Sequence, residues 1–331
     1  MGDVAMLLPV LEIVHATYPQ LKISVLTKAF FSHIFAHLDF VTVYIAEVKG
    51  KHKGIAGLFK LSSELPDDID AVADVHNVLR SKVLRKFLAL KGLGIAKINK
   101  GRKEKKQLTK LTSKQIKPLK TSHERYAEVF QKLGFPIDLN KEIRPKKFQL
   151  RKETLDLLGV MKLENSIGFA PFAAHSPKVF PFEKTKKLIE LITQQTNFKI
   201  LLFGGGKEEI EQLQKLQGIS NQVILVAGKF DFPTELKIIS SLQLMISMDS
   251  GNGHLAALFG VPVITIWGAT HPYAGFAPFK QPKENQFIPD LNKYPWLPTS
   301  IYGKKNVPGY IDVMNDIDEQ SIVNRLVQIV E

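Results

Sequence analysis

From residue 166 onward the hydrophobic pattern of the chain changes period at regular intervals. Short apolar, β-prone runs at residues 166–170, 199–203, 222–226 and 244–248 alternate with segments at 181–194, 208–216, 233–241 and 254–259 whose apolar residues recur three and four apart. Runs without polar alternation read as strands covered on both faces, and the intervening spacing reads as amphipathic helix. Strict β-α alternation predicts a parallel sheet with helices on both sides. The front half predicts a helix at 4–17 stopped by Tyr18-Pro19, a strand at 21–27, a helix at 29–38, a strand at 41–45 and a helix at 54–65. A strand at 69–75, a basic helix at 77–90, a further strand at 94–99 and a helix at 122–133 ended by Gly134 follow. Residues 136–151 carry proline and charge with little periodicity, which places a linker there. The expected domains are 1–150 and 151–315, followed by a tail helix within 316–331.

The densest chemical signal lies in residues 244–276. An apolar strand ends in Asp249-Ser250-Gly251, a helix resumes through His254, and Gly260 stops it before a second strand at 261–267. A helix that starts on Ser250-Gly251-Asn252 presents unpaired backbone N–H groups and the positive end of its dipole beyond the carboxyl edge of a sheet. Phosphate suits that place, so the stretch suggests a nucleotide or phosphosugar site. In isolation the same residues also suit a plain N-cap at Asp249 or Ser250 and a core histidine at 254.

Composition narrows the class. The 331 residues are 44% hydrophobic and 23% charged, enough for two cores in a globular chain. There is no cysteine, which excludes disulfides and thiolate metal sites. No apolar run approaches the ~18 residues of a membrane span, so a cytoplasmic location is the expectation. Net charge is +13, and residues 80–125 hold sixteen Lys or Arg against only Glu104 and Glu124. A basic stretch at about 97–121 reads either as a solvated loop or as a patch for a polyanion: nucleic acid, an anionic membrane leaflet or a phosphorylated glycolipid. It has no interleaved aromatics and no helix-turn-helix or RNA-binding signature, so nucleic acid is not expected.

The string MDSGNGHLAALFGVPVITIWGATHP resembles the donor-site signature of the family 9 glycosyltransferases, the heptosyltransferases of lipopolysaccharide core assembly. The likeness extends to Gly2-Asp3-Val4-Ala5-Met6, to residues 74–81 with Asp74, His76, Arg80 and Ser81, and to residues 122–134. It implies an α/β fold of the GT-B kind, two Rossmann-like parallel-sheet domains facing a central cleft. The tail helix would brace the first domain. It also implies a strand before Gly2-Asp3, so the first strand of the N-terminal domain is expected to be absent from this chain.

The implied activity is inverting transfer of a sugar, a heptose by resemblance, from a nucleotide-activated donor such as ADP-heptose. The implied acceptor is an anionic glycolipid of the lipopolysaccharide core and lipid A type, at the inner face of the inner membrane. No cofactor and no metal are expected; Asp67-Asp68-Ile69-Asp70 precedes a strand and reads as a turn. Donor contacts fall by resemblance on Ala174, Lys178, Glu208, Asp249, Ser250, Gly251 and His254. Ala173 and Ala174 stand where relatives often carry hydroxyls. Lys178 and the helix dipole would stabilise the leaving diphosphate, and Glu208 would accept ribose hydroxyls in the manner of a Rossmann acid. Acceptor contacts are expected from His76, Arg80, Lys103, Lys105 and Lys106. The resemblance gives Asp3 the role of general base, since inverting transfer needs one carboxylate to take the proton of the attacking hydroxyl. Trp267 and residues 271–273 suit either the acceptor cleft or strand-end packing. A sugar-nucleotide epimerase of similar form, and a non-catalytic polyanion-binding protein, are the alternatives.

Overall fold

The computed structural model describes residues 1–112 and 116–330. Two units emerge, the first built from Asp3–Gly101 and Ser122–Arg144, the second from Arg102–Thr121 and Pro145–Glu331. In the first, α1 (Gly2–Ala5), α2 (Leu8–Thr17), β1 (Ile23–Thr27), α3 (Ala29–Phe35), β2 (Val41–Ile45), α4 (Gly54–Glu64), β3 (Ala71–Asp74), α5 (Leu79–Leu90) and β4 (Gly94–Lys97) follow in order. The helix expected over 4–17 is broken at Met6-Leu7, because Pro9 enters the first turn of α2 and has no N–H to continue α1. Strand β1 pairs in parallel with β2, and β3 pairs in parallel with β4. Among the described residues no ladder joins the two pairs. Leu58, Leu61 and Leu65 on α4 and its exit meet Leu84 and Leu88 of α5 in one small core, with Leu26, Tyr44 and Val72 of the strands packed against it.

The basic stretch departs from its expected place and form. It contains α6 (Arg102–Leu108), and residues Arg102–Thr121 cluster with the second unit. Leu108 is buried, and the Leu119 N–H donates to the Tyr273 carbonyl at 2.9 Å. The chain then returns to the first unit through α7 (Ser122–Lys132), whose Tyr126 hydroxyl donates to the Asp3 carbonyl at 3.1 Å.

The second unit continues with α8 (Lys152–Leu158), β5 (Ser166–Ala170), α9 (Phe182–Gln195), β6 (Lys199–Leu202), α10 (Lys207–Gln217), β7 (Val223–Leu225), α11 (Phe232–Ser240), β8 (Leu244–Met248), α12 (Gly251–Leu258), β9 (Val263–Ile266), β10 (Gln286–Phe287) and α13 (Glu319–Val330). Its six strands lie in the order β10-β9-β8-β5-β6-β7, all parallel. The chain runs outward from β5 to β7, then crosses back to β8 on the other side of β5. That reversal defines a switch point between the carboxyl ends of β5 and β8, where open α/β sheets bind ligands. Every residue of β5, β8 and β9 is buried, as their unbroken apolar runs require.

The tail does not stand apart from this unit. Glu319, Ile322, Val323 and Leu326 are buried at helical spacing on α13, and Thr185, Leu188, Ile189 and Ile192 are buried at the same spacing on α9. The two helices pack together, and α13 also reaches β8. Glu319 is clamped by Lys184 at 3.1 Å and Lys187 at 3.6 Å. Among the described residues no helix is long and apolar enough to cross a membrane. Replacing Leu326 with Ala removes a side chain with no exposed surface, so urea denaturation should show a loss of ~2–5 kcal/mol. A loss below ~1 kcal/mol would show that α13 is not docked.

Candidate functional site

Two loops converge at the switch point of the second unit. The first leaves β5 through Phe172-Ala173-Ala174-His175 and forms a single 3-10 turn at Ser176-Pro177-Lys178. The second leaves β8 at Asp249-Ser250 and starts α12. Lys178 Nζ lies 3.0 Å from Asp249 Oδ2, with both side chains almost withdrawn from solvent. Two glycines make room for the lysine loop. A Cβ on Gly268 would strike the Pro177 carbonyl, and one on Gly303, whose φ is +73°, would strike the Lys178 side chain.

At the start of α12, Ser250 has the extended backbone of an N-cap, yet its side chain makes no cap hydrogen bond. Its Oγ is buried without a partner, and so is Nδ1 of His254, one turn further on. Buried polar atoms are normally paired, so two orphans beside free helix N–H groups mark a place shaped for a polar ligand. Burial, reinforced by the nearby Lys178 ammonium, pushes the His254 imidazole down to about 3, so it is a neutral group at physiological pH. Lys178 and the end of the α12 dipole therefore supply the positive charge here; His254 supplies a hydrogen-bonding ring.

At the carboxyl end of β6, Gly206 adopts φ +85° and α10 begins. The two adjacent acids that follow are used differently. Glu209 accepts the Gly205 N–H at 2.8 Å and so braces the loop, whereas Glu208 is exposed on the first turn of the helix. Ala174 is exposed and brings no side-chain hydrogen-bonding group, while Gly251 is the first residue of α12.

The first unit gathers a second set of polar groups at the ends of β3 and β4. Asp74 is buried and accepts Arg85 Nη1 at 2.6 Å, the Asn77 N–H at 2.6 Å and the His76 N–H at 3.1 Å. This network holds Asn77 at φ +42° and turns the chain into α5. Asn77 in turn donates to the Ile98 carbonyl, joining the β3 and β4 exits. Burial and the Lys100 charge lower the His76 imidazole, while Asp3 and Asp74 act on it in the opposite sense. His76 thus shares an electrostatic neighbourhood with Asp3, which is exposed in α1, and Arg80 is exposed on the first turn of α5.

The structure separates the three lysines of the basic stretch. Lys103 and Lys106 are exposed on α6, but Lys105 is buried with its ammonium 4.0 Å over the Phe276 ring. That cation–π contact ties α6 to the turn after β9 and withdraws the Lys105 ammonium from solvent. Trp267 is fully buried, its indole N–H donating to Gln286 at 2.9 Å, so it packs the sheet. Asp67 meets Lys91 at 3.3 Å in a surface turn, and among the described residues no group of three metal-ligating side chains occurs.

A Rossmann strand order with an unsatisfied helix start at its switch point is the architecture of a nucleotide-binding α/β protein. A family model for glycosyltransferase family 9 (heptosyltransferase) matches residues 58–297. The chain is 24% identical over 298 residues to lipopolysaccharide heptosyltransferase 1 of Campylobacter coli, covering 85% of this chain and 82% of that protein. Among solved structures it is similar to a family 9 glycosyl transferase of Veillonella parvula, with TM-score 0.73 and 17% identity over 100% of this chain and 94% of that one. It is also similar to the E. coli heptosyltransferase WaaC with ADP, with TM-score 0.68 and 19% identity over 99% and 97% of the two chains. WaaC has also been solved with ADP-2-deoxy-2-fluoro heptose. The chain belongs to glycosyltransferase family 9, and its fold is GT-B.

Two measurements test the local electrostatics. At pH 5 a free imidazole is almost fully protonated, but NMR should show the His254 ring still neutral. The folded value lies below the unfolded one, so this histidine contributes stability above about pH 6.5 that is lost progressively as pH falls toward 3. A midpoint above 5 would place the ring in solvent. Replacing Arg85 with Ala should destabilise the chain by ~3 kcal/mol, because it leaves Asp74 buried and uncompensated, and Lys at that position should restore part of the loss.

Proposed function

We propose that this chain is an inverting, metal-independent heptosyltransferase that takes its sugar from ADP-heptose and passes it to a phosphorylated lipopolysaccharide-core acceptor. The observation that carries the reading is the pair of orphaned atoms, Ser250 Oγ and His254 Nδ1, beside the Lys178–Asp249 ion pair at the start of α12. A sugar diphosphate would satisfy each of them. Its phosphate oxygens accept from the N–H groups of α12, from the Ser250 hydroxyl and from Lys178, and its hydroxyls donate to Asp249 and His254. Glu208, exposed at the end of β6, takes the ribose hydroxyls, and Ala174 offers only its backbone.

In the reaction the acceptor hydroxyl oxygen forms a bond to the anomeric carbon as the bond from that carbon to the diphosphate oxygen breaks. The hydroxyl proton passes to the Asp3 carboxylate, and the electron pair of the broken bond leaves on the diphosphate. Lys178 and the dipole of α12 meet that developing charge, which is the work a divalent cation does in other transferases. The neutral His254 adds a hydrogen bond without drawing Asp249 away from Lys178. His76, Arg80, Lys103 and Lys106 hold the anionic acceptor, so the enzyme works as a peripheral protein at the inner membrane face.

Turnover of ADP-heptose with a lipid A-type acceptor, followed as ADP release in the presence of excess EDTA, tests this. Lys178→Ala and Asp3→Asn should each lower kcat by about 10²–10⁴-fold, while Glu208→Gln should act chiefly on the donor KM. Conversion of a sugar nucleotide without any acceptor would instead make the protein an epimerase. Activity abolished by EDTA and restored by a divalent cation would overturn metal independence.

A further inference from the structure

Helices α4 and α5 of the first unit carry an outward face that the transferase chemistry does not use. Ile55 and Phe59 lie one turn apart on α4 and are 69% and 59% exposed; Leu90, at the end of α5, is 85% exposed. Isolated surface leucines are ordinary, but these side chains belong to one crest. Phe59 meets Phe87 of α5 edge to face at 5.4 Å, and Phe87 itself packs against the core beneath. Leu79, Lys86 and Leu90 share one side of α5 by their seven- and eleven-residue spacing, and Leu79 is 79% exposed. The crest thus runs the length of α5, roughly 16 Å at 1.5 Å per residue.

The charge around this crest is one-sided. Helix α5 holds Arg80, Lys82, Arg85 and Lys86 and no acid. Arg85 is spent on Asp74, but Lys82 and Lys86 are exposed and have no ion-pair partner among the described residues. Of the nearby acids, Glu64 pairs with Lys51 at 3.1 Å and Asp67 with Lys91 at 3.3 Å, while Asp68 and Asp70 are exposed on the turn before β3.

We propose that the α4–α5 face is a docking surface for an anionic lipid bilayer, with Ile55, Phe59 and Leu90 entering the headgroup boundary and Lys82 and Lys86 meeting lipid phosphates. Protruding aliphatic and aromatic side chains ringed by lysine match the requirements of an interfacial surface. A second copy fits less well, because a two-fold contact through this face would set Lys82 and Lys86 against their own counterparts. The surface gives a physical route to the membrane location of the proposed reaction, yet it stands on its own geometry and is testable without donor or acceptor.

The test uses the full chain and vesicles of phosphatidylcholine with or without phosphatidylglycerol. The unaltered protein should sediment with the anionic vesicles. Phe59→Ser and Leu90→Ser should each weaken that partitioning by about tenfold, since each takes a large apolar side chain away from the face that enters the bilayer. Lys82→Gln with Lys86→Gln should weaken it by about 25-fold on anionic vesicles only, at about fivefold per lysine. All four sites are exposed, so unchanged melting temperatures should confirm folding. Because the chain has no cysteine, a single Leu90→Cys can carry an environment-sensitive fluorophore, and its emission should shift to the blue when anionic vesicles are added. Partitioning that survives all four substitutions overturns the proposal, as does its loss on Lys103→Gln with Lys106→Gln alone. A dimer abolished by Phe59→Ser, with no vesicle binding, overturns it in favour of self-association.

Discussion

The contact between Lys178 and Asp249 holds the two strand ends of the switch point to one another, and much of the second unit is arranged to allow it. A buried ion pair adds little net stability, because removing both charges from water costs about what their attraction returns. Its value lies in geometry: the ammonium is fixed beside the start of α12 rather than sweeping through solvent. The glycines at 268 and 303 admit the lysine loop, and neither tolerates a Cβ. The same ammonium helps keep His254 neutral, so the site holds one side-chain cation with a defined partner instead of two competing for Asp249. A phosphate bound there, as proposed, would meet a charge already desolvated and already aimed, which lowers the reorganisation required on binding.

The two units differ in how completely they cover their strands. In the second, β5, β8 and β9 are buried at every position, and one large cluster from Ile167 to Leu326 fills the layers between α9, α13 and the sheet. In the first, β1 and β2 are mostly half-exposed, and the cluster under α4 and α5 is small. Apolar burial is the main favourable term in folding, so local opening should cost less beneath α4 and α5 than in the large cluster of the second unit. The polar network of Asp74, Arg85, Asn77 and His76 has correspondingly more to do there. It fixes the β3 exit by directional bonds where packing contributes little.

Much of this was legible in the residues. Unbroken apolar runs announce parallel strands buried on both faces, and so each long strand of the second unit fell within a residue or two of its expected place. The start of α12 was legible because Asp249-Ser250-Gly251 between an apolar strand and a small-residue helix admits few backbone solutions. What escaped notice depended on partners distant in the chain. Lys105 sits in a lysine run that reads as solvated, and only the fold brings Phe276 beneath it. Helix α6 shows no apolar period of its own, since Leu108 and the Lys105 stem are all that it buries. Nothing in the sequence neighbours of Gly268 and Gly303 encodes the approach of the loop at Lys178. The resemblance singles out Glu208, but the bracing role of Glu209 emerges only from its bond to the Gly205 N–H. The break at Met6-Leu7 was available from Pro9, yet the strong apolar period across it outweighs a single residue in any window average.

The charge of the chain shows how a linear reading can merge what the fold divides. Sixteen basic residues between 80 and 125 look like one polyanion patch, but the chain changes unit at residues 102 and 122. Seven of the sixteen precede residue 102 and eight lie from Arg102 to Lys120. Their fates differ within each group as well. Arg85 neutralises a buried carboxylate, Lys91 pairs at the surface, Lys105 stacks on a ring, and Arg125 donates to the Asn99 carbonyl at 3.1 Å. Each of these is held by a fixed partner and contributes less to the field outside. The outward field is left to exposed side chains such as Lys82 and Lys86 on α5 and Lys103 and Lys106 on α6. A count of charges therefore overstates the electrostatic footprint. What an anion encounters on each unit is a few lysines in a defined setting, one of them beside an apolar crest and the other on a short helix clamped by an aromatic contact.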